Sequence, residues 1–319
     1  MAFLRFLFVL FFRRPAVEGI TAKVVADSIA TYFFGAEMHL GNRVTTFQLR
    51  YPRFIHAELM THRVFSRNAS SSRAIPVMTM LKEILLDPAM PIYWGANQSG
   101  MQAKSELSGL KRRLAIRVWR LARYPAVFAA FIAYKIGLHK QIANRICEPW
   151  AHISVVVTAT EYQNWFNLRL HADAQPEIRH LAGMMDLARS ISTPRRLNAG
   201  EWHLPYVRSF ERNNLSSEDA IKVSVARCAR VSYLTHDKQM PSIEQDIALY
   251  ERLVGSVPLH ASPAEHQSKP DVFDTPNPIK TYGADWARDR DHYDNPWLHG
   301  NLVGWVQYRK LLPSEFVAG

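Results

Sequence analysis

The densest run of chemically capable side chains lies between residues 62 and 73: His62, Arg63, Ser66, Asn68, Ser70, Ser71, Ser72 and Arg73. Arginines at either end, with hydroxyls and an amide between them, supply charged and neutral donors over a short stretch, and turn amides add more. Such a set suits a phosphate or another oxyanion. On spacing alone, a polar loop with helix-capping serines is the stronger reading. A second group, Asn164, Asn167, Arg169 and His171, can read the edge of a planar heterocycle through paired hydrogen bonds; the plain alternative is an exposed helix start. A third, His260, Ser262, Glu265 and His266, reads more readily as an ordinary loop. No Ser–His–Asp order and no carboxylate pair emerges from these positions.

Other chemistries find little footing. There is no GxGxxG, P-loop, HExxH or GxSxG segment. The 13 histidines match no standard ligand spacing, so no metal is expected. Cys147 and Cys228 form neither a CxxC pair nor a zinc pattern, which argues against a disulfide scaffold and for a reducing, cytoplasmic compartment. Each is expected to be a buried small hydrophobe.

The elements that must carry these groups follow from periodicity. Ile20–Ser28 and Val44–Leu49 are β-branched and apolar, and are expected to pair as strands joined by a loop around Gly35–Asn42. Phe54–Phe65 has helical spacing, then a polar run from Ser66 to Arg73 and a turn at Pro76. Residues 77–100 read as irregular because of Pro88, Pro91 and Gly95; 106–148 read as helical with breaks near Pro125 and Gly137. Ile153–Thr160 is a strand candidate. Residues 161–191 are helical, with Pro176 in a first turn and Asp173 as its candidate cap. Two further helices cover about 216–233 and 241–254, and 258–298 reads as loop.

A chain of 319 residues, 48% hydrophobic and 21% charged, can bury a sizeable core and is not a disordered segment. Its formal charge of +11 favours an anionic partner without choosing among nucleotide, nucleic acid and acidic membrane. Segment 110–124, LKRRLAIRVWRLARY, is a basic amphipathic helix, read first as a surface helix with a basic outer face and second as a nucleic-acid or membrane contact. The apolar run Phe6–Phe12 is too short to span a bilayer. Residues 1–18 are taken as a leader-like or extraneous extension, and 19–319 as one catalytic domain.

Taken together, the groups resemble the flavin-dependent thymidylate synthases. Thr61-His62-Arg63 through Arg73 is similar to that family's Arg-His-Arg motif and its Ser-containing, Arg-ended segment. Asn167-Leu168-Arg169 with Ala174-Gln175-Pro176-Glu177-Ile178 is similar to the Asn/Leu/Arg helix and Ala-Gln-x-Glu-Ile signature, and Asn144-Arg145-Ile146 with Pro149 looks like an Arg-x-x-x-Pro helix end. Ala229-Arg230-Val231-Ser232-Tyr233 and Ser262-Pro263-Ala264-Glu265-His266 resemble segments that in typical members precede the Arg-His-Arg motif; here they follow it. The order resembles a phage-associated branch and implies circular permutation.

The resemblance implies an α/β (ThyX-like) mixed sheet with a large helical portion, working as a homotetramer on a deoxyuridine monophosphate-like nucleotide. It implies bound FAD, with NADPH and methylenetetrahydrofolate as co-substrates, and no catalytic cysteine. His62, Arg63, Asn164 and His266 match flavin contacts. Ser71 and Arg73 match the residues that hold the nucleotide. Arg145 matches an arginine reaching its phosphate from a neighbouring subunit, and Arg169 one at the pyrimidine; Arg169 and Ser71 are the catalytic candidates. No membrane or stable nucleic-acid partner is expected. The chain departs from the pattern at Thr61, Ala69, Glu58, Thr158 and Thr160, where the family has Arg, Glu, Gln, Asn and Arg. The segment from 271 to 319 has no counterpart in typical members. These departures leave two alternatives open: a related flavin- and folate-dependent pyrimidine hydroxymethylase, and, more distantly, a basic nucleic-acid-binding protein.

Overall fold

β-Branched and aromatic residues on both sides of Gly35 make two long antiparallel strands, β1 (Thr21–Phe34) and β2 (Glu37–Pro52). The expected loop over Gly35–Asn42 is instead a two-residue turn at Gly35-Ala36, with Phe34 opposite Glu37. Gly35 adopts φ +68° there, a conformation that favours glycine. The chain then passes through α1 (His56–Met60), β3 (Ser66–Ala69), α2 (Val77–Leu86), α3 (Gly109–Lys135), the single turn α4 (Lys140–Ala143), β4 (His152–Ala159), α5 (Gln163–Arg169) and α6 (Pro176–Ser190). It continues through β5 (Arg195–Leu197), α7 (Ser209–Asn214), α8 (Ser217–Ala229), α9 (Ile243–Val254), β6 (Ser268–Pro270), α10 (Pro278–Tyr282) and β7 (Trp305–Gln307). This computed structural model describes residues 19–100, 102–232, 241–257, 259–313 and 315. The leader-like segment 1–18 and Tyr233 lie outside the described residues.

The fold is α/β, as expected. Its five-stranded mixed sheet has the order β3-β4-β2-β1-β5, with β5 parallel to β1 and the other pairs antiparallel. One face carries Phe47, Leu49, Tyr51, Val155 and Val157 against Trp165 and Phe166 of α5 and Ile178 and Leu181 of α6. Alternation along the strands turns Thr46, Ser154, Val156 and Thr158 to the other face, where Val156 meets Cys228 and Val231. Both cysteines are free and buried, as expected.

Several local expectations give way. Ser66–Ala69 is a strand, not a helix-end loop, because β4 supplies hydrogen-bonding partners that no local pattern reveals. Residues 77–86 are helical: Val77, Met80, Leu81, Ile84 and Leu85 form one buried face, which the nearby prolines obscured. Pro125 does not break α3, which runs through it to Lys135. The cap of α6 is Gln175 rather than Asp173, without a side-chain bond, while Pro176 opens the helix as expected. Ser216 and Ser242 cap α8 and α9 through their hydroxyls. Within 258–298, β6 and α10 interrupt the irregular chain.

The segment after residue 270 packs on the rest. Trp286, Tyr293, Leu302 and Trp305 join Ala30 and Tyr32 of β1 and Val44 of β2 in one apolar cluster, and β7 pairs with β6. The motif arginine Arg230 serves packing: it donates to Asp246 at 2.8 Å, and Arg227 one turn earlier donates to Asp246 and Glu211.

Candidate active site

Two sets of groups stand at opposite ends of β3. At one end α1 and α5 meet. The Arg169 side chain leaves the last turn of α5 and reaches back over α1. Its Nε donates to His62 Nε2 at 3.0 Å, Nη1 to Glu58 Oε2 at 3.0 Å, and Nη2 to Thr61 Oγ1 at 3.2 Å and, at 3.5 Å, to the Glu58 carbonyl. Since Nε2 accepts, the His62 ring carries its proton on Nδ1. The ring is buried, lying against Phe65 and edge-on to Trp165 at 4.7 Å. Burial, helped by the charges of Arg169 and Arg67, holds its pKa down at about 4, so it stays neutral. Arg67 of β3 donates to the carbonyls of Met60 and His62 and fixes the loop between α1 and β3.

At the other end of β3 the chain turns through residues 70–75. Ser71 Oγ accepts from the backbone N of Arg73 at 3.3 Å and from its Nε at 3.4 Å. The buried Asn144 clamps the turn by donating to the carbonyls of Ser72 at 2.7 Å and Ile75 at 2.9 Å; Lys140 Nζ donates to that of Ala74. Glu148 accepts from Ser72 Oγ at 2.9 Å and pairs with Arg53. Arg145, next to Asn144, is exposed and donates Nε to the Gln141 carbonyl. Arg73 and Lys140 thus bring two cations to one clamped turn bearing a serine, an arrangement that receives an anion.

His266 lies elsewhere. It is fully buried on the opposite face of the sheet, its Nδ1 2.8 Å from Thr158 Oγ1. Thr158 continues to Thr46 at 2.7 Å, Thr46 to His203 Nε2 at 2.8 Å, and His203 Nδ1 to Ser28 at 2.9 Å. Burial drives both rings down to about 3, so the line is neutral. Thr160, the other departing threonine, accepts from the Val303 amide. The C-terminal segment closes this face: Asn301 and Gln307 bond to Ser66.

The structure therefore brings His62 and Arg169 together, and Ser71 and Arg73 together, leaves Arg145 bonded to Gln141 rather than to either, and sets His266 apart from both groups. Arg63 and Asn164 are exposed; Arg63 follows His62 in the chain, and Asn164 lies five residues before Arg169 and roughly 140° around the helix from it. Arg67 and Lys140 complete the two groups without having been singled out in sequence. Arg67 lies inside the quoted motif and was legible there; Lys140 had no signal. Among the described residues no group of three or more His, Cys, Asp or Glu side chains is placed to hold a metal ion.

Fold and site define an α/β chain with a cationic, hydroxyl-bearing surface suited to an anionic ligand. No family model matches it, and no curated protein does. Among solved structures it is similar to a UMP/dUMP methylase, PolB from Streptomyces cacaoi, bound with 5-Br UMP. That likeness has 18% identity and a TM-score of 0.44, and covers 56% of this chain and 90% of that one. The same methylase bound with 5-Br dUMP gives 16% identity and a TM-score of 0.42, over 56% and 91%. At these values neither likeness bears on the chemistry of this chain.

Proposed function

We propose that this chain is a flavin-dependent thymidylate synthase with permuted motifs, methylating dUMP to dTMP in the cytoplasm with methylenetetrahydrofolate and NADPH. One observation carries the reading. Arg169 and His62, 107 positions apart and drawn from separate motifs, stand 3.0 Å apart.

A flavin suits the residues in part. Arg63 and Asn164 are exposed, with no side-chain partner among the described residues, and are open to such a ligand. His266 is sealed behind Thr158 and the C-terminal segment, so in this chain the exposed Arg63 and Asn164 would hold the group. Held there, a reduced flavin would supply the hydride that takes the transferred carbon to a methyl group, with NADPH as the source of its reducing equivalents.

The protein's share is binding and electrostatics. Arg169 uses Nε, one Nη1 hydrogen and both Nη2 hydrogens within the chain, which leaves one Nη1 N–H for a pyrimidine carbonyl. Its charge stabilises the negative charge that develops on the ring oxygen. Neutral His62 holds the guanidinium without competing for an anion. Ser71, Arg73 and Arg145 take the phosphate. The four-residue β3 separates the two groups by roughly 10 Å, so a homotetramer, with Arg145 contributed by a neighbouring copy, completes the site in this reading. Neither cysteine is available as a nucleophile: burial pushes the Cys147 thiol up to about 11 and raises Cys228 further.

The test is the absorbance spectrum of the purified protein, followed by tritium release from 5-labelled dUMP. Flavin absorbance and release that requires both folate and NADPH are expected. A protein that stays colourless after reconstitution with FAD sinks the proposal, and mass analysis of the product separates methyl from hydroxymethyl.

A further inference from the structure

Helix α3 has two apolar faces, and the fold covers one. Its inner face, with Val127, Ala130 and Ala133, packs against α2 and the segment around Cys147. Diametrically opposite, Leu110, Leu114, Val118, Leu121, Phe128 and Ile132 recur every three, four or seven residues, and Ile136 at the C-cap extends the row. At about 100° per residue all seven fall within a sector of roughly 80°, and at 1.5 Å per residue they run for about 39 Å. Every one is exposed, Leu110 by 67%, Val118 by 66% and Ile136 by 77%. The outer face read from sequence as basic is thus apolar at its centre and basic at its borders.

The charges are one-sided. α3 contains no Asp or Glu. Lys111 borders one edge of the stripe, and Arg113, Arg117 and Lys135 the other, all exposed. Among the described residues only Arg112 of this helix has a carboxylate partner, Glu106. We propose that this face docks on an anionic lipid bilayer. The stripe would enter the boundary between headgroups and acyl chains, with the flanking cations on the lipid anions. Interfacial helices have this composition, and each cation near such a surface adds to the attraction. No helix among the described residues is long and apolar enough to cross a membrane, so the helix lies in the plane.

Charge also argues against the simplest other occupant. A second copy paired antiparallel about residue 123 sets Lys111 against Lys135, and parallel pairing stacks every cation on its like. A nucleic acid would satisfy the cations but leave the apolar row in water. The proposal is independent of the nucleotide chemistry above.

Flotation of the full chain with phosphatidylcholine–phosphatidylserine vesicles, against phosphatidylcholine alone, tests it. The protein floats with the anionic vesicles. The double substitution Val118→Asp/Leu121→Asp lowers partitioning on the order of tenfold or more. Arg113→Glu/Arg117→Glu lowers it on the order of tenfold and removes the preference for phosphatidylserine. All four positions are exposed, and an unchanged melting temperature verifies the fold. Three results overturn the proposal: no flotation with either lipid, flotation unchanged in both variants and lost on removing residues 1–18, or a dimer in sedimentation that Val118→Asp/Leu121→Asp dissociates.

Discussion

Glu58 and Arg169 face each other across α1 and α5, Oε2 3.0 Å from Nη1, and the carboxylate sets how much of the guanidinium's charge a ligand meets. Replacing Glu58 by Gln keeps an acceptor for Nη1 and removes the opposing charge. Glu58→Gln is expected to lower the KM for the nucleotide a few-fold, about 1 kcal/mol or less for a partly exposed pair. Arg169→Ala is expected to lower kcat on the order of 10² to 10³, the loss typical of a donor at developing negative charge. The melting temperature should hold, because Glu58 left alone still reaches water. Near wild-type turnover in Arg169→Ala would mean the pyrimidine lies elsewhere.

Ser71 orients Arg73, accepting from both its backbone N and its Nε. Ser71→Ala removes a hydroxyl from the anion site and frees the Arg73 side chain. KM for the nucleotide should rise about fivefold, the equivalent of one hydrogen bond near 1 kcal/mol, with kcat less affected. An unchanged KM would take Ser71 out of the binding site.

What could be read in the sequence divides along locality. β4 was legible because Ile153–Thr160 is rich in β-branched residues, and α8 and α9 fall within the two helices expected at about 216–233 and 241–254. β3 was not, since its strand character comes from pairing with β4 some ninety residues away. At the site, residue types were legible and their meetings were not. Nothing local tells that Arg169 ends on His62, or that Asn144 clamps the turn carrying Ser71. The polar line from Ser28 through His203 to His266 joins three distant segments and leaves no trace in spacing, so His266 drew attention through resemblance while its interior placement stayed hidden.

The ion cluster under α8 is a stability element. Arg227 binds Glu211 with both Nη atoms, at 2.7 and 2.8 Å, and Asp246 with Nε at 2.8 Å, all three side chains being buried. Removing one member strands buried charge, at a cost of about 3–5 kcal/mol. Glu211→Ala should therefore show a large drop in the urea midpoint. Replacing Arg227, Glu211 and Asp246 together by apolar residues of similar volume should cost much less. Equal losses in the single and triple variants would show that the cluster holds the fold by packing rather than by compensating charge.

Acid should unfold the chain well before its surface carboxylates are titrated. Burial is the first cause that lowers the pKa of His62 and His152 to about 4 and of His203 and His266 to about 3. Above pH 6.5 these rings are neutral whether the chain is folded or not. As the pH falls through 6.5 the unfolded chain takes up protons that the folded one refuses, so stability declines, by up to about 1.4 kcal/mol per pH unit for each ring. The decline continues to about pH 4 for the first pair and about pH 3 for the second. Glu211 acts in the same direction lower down. Its hydrogen bonds with Arg227 hold it at about 2, so its contribution is complete above 4.5 and is lost as the pH falls toward 2. Urea midpoints from pH 7.5 to 4.5 should therefore drop steadily once the pH passes below 6.5. The slope should be shallower in His62→Asn, which has one fewer ring to protonate on unfolding. A midpoint that stays level from pH 6.5 to 4.5 would mean these histidines are already charged in the folded chain, and the neutral His62 that accepts from Arg169 would go with them.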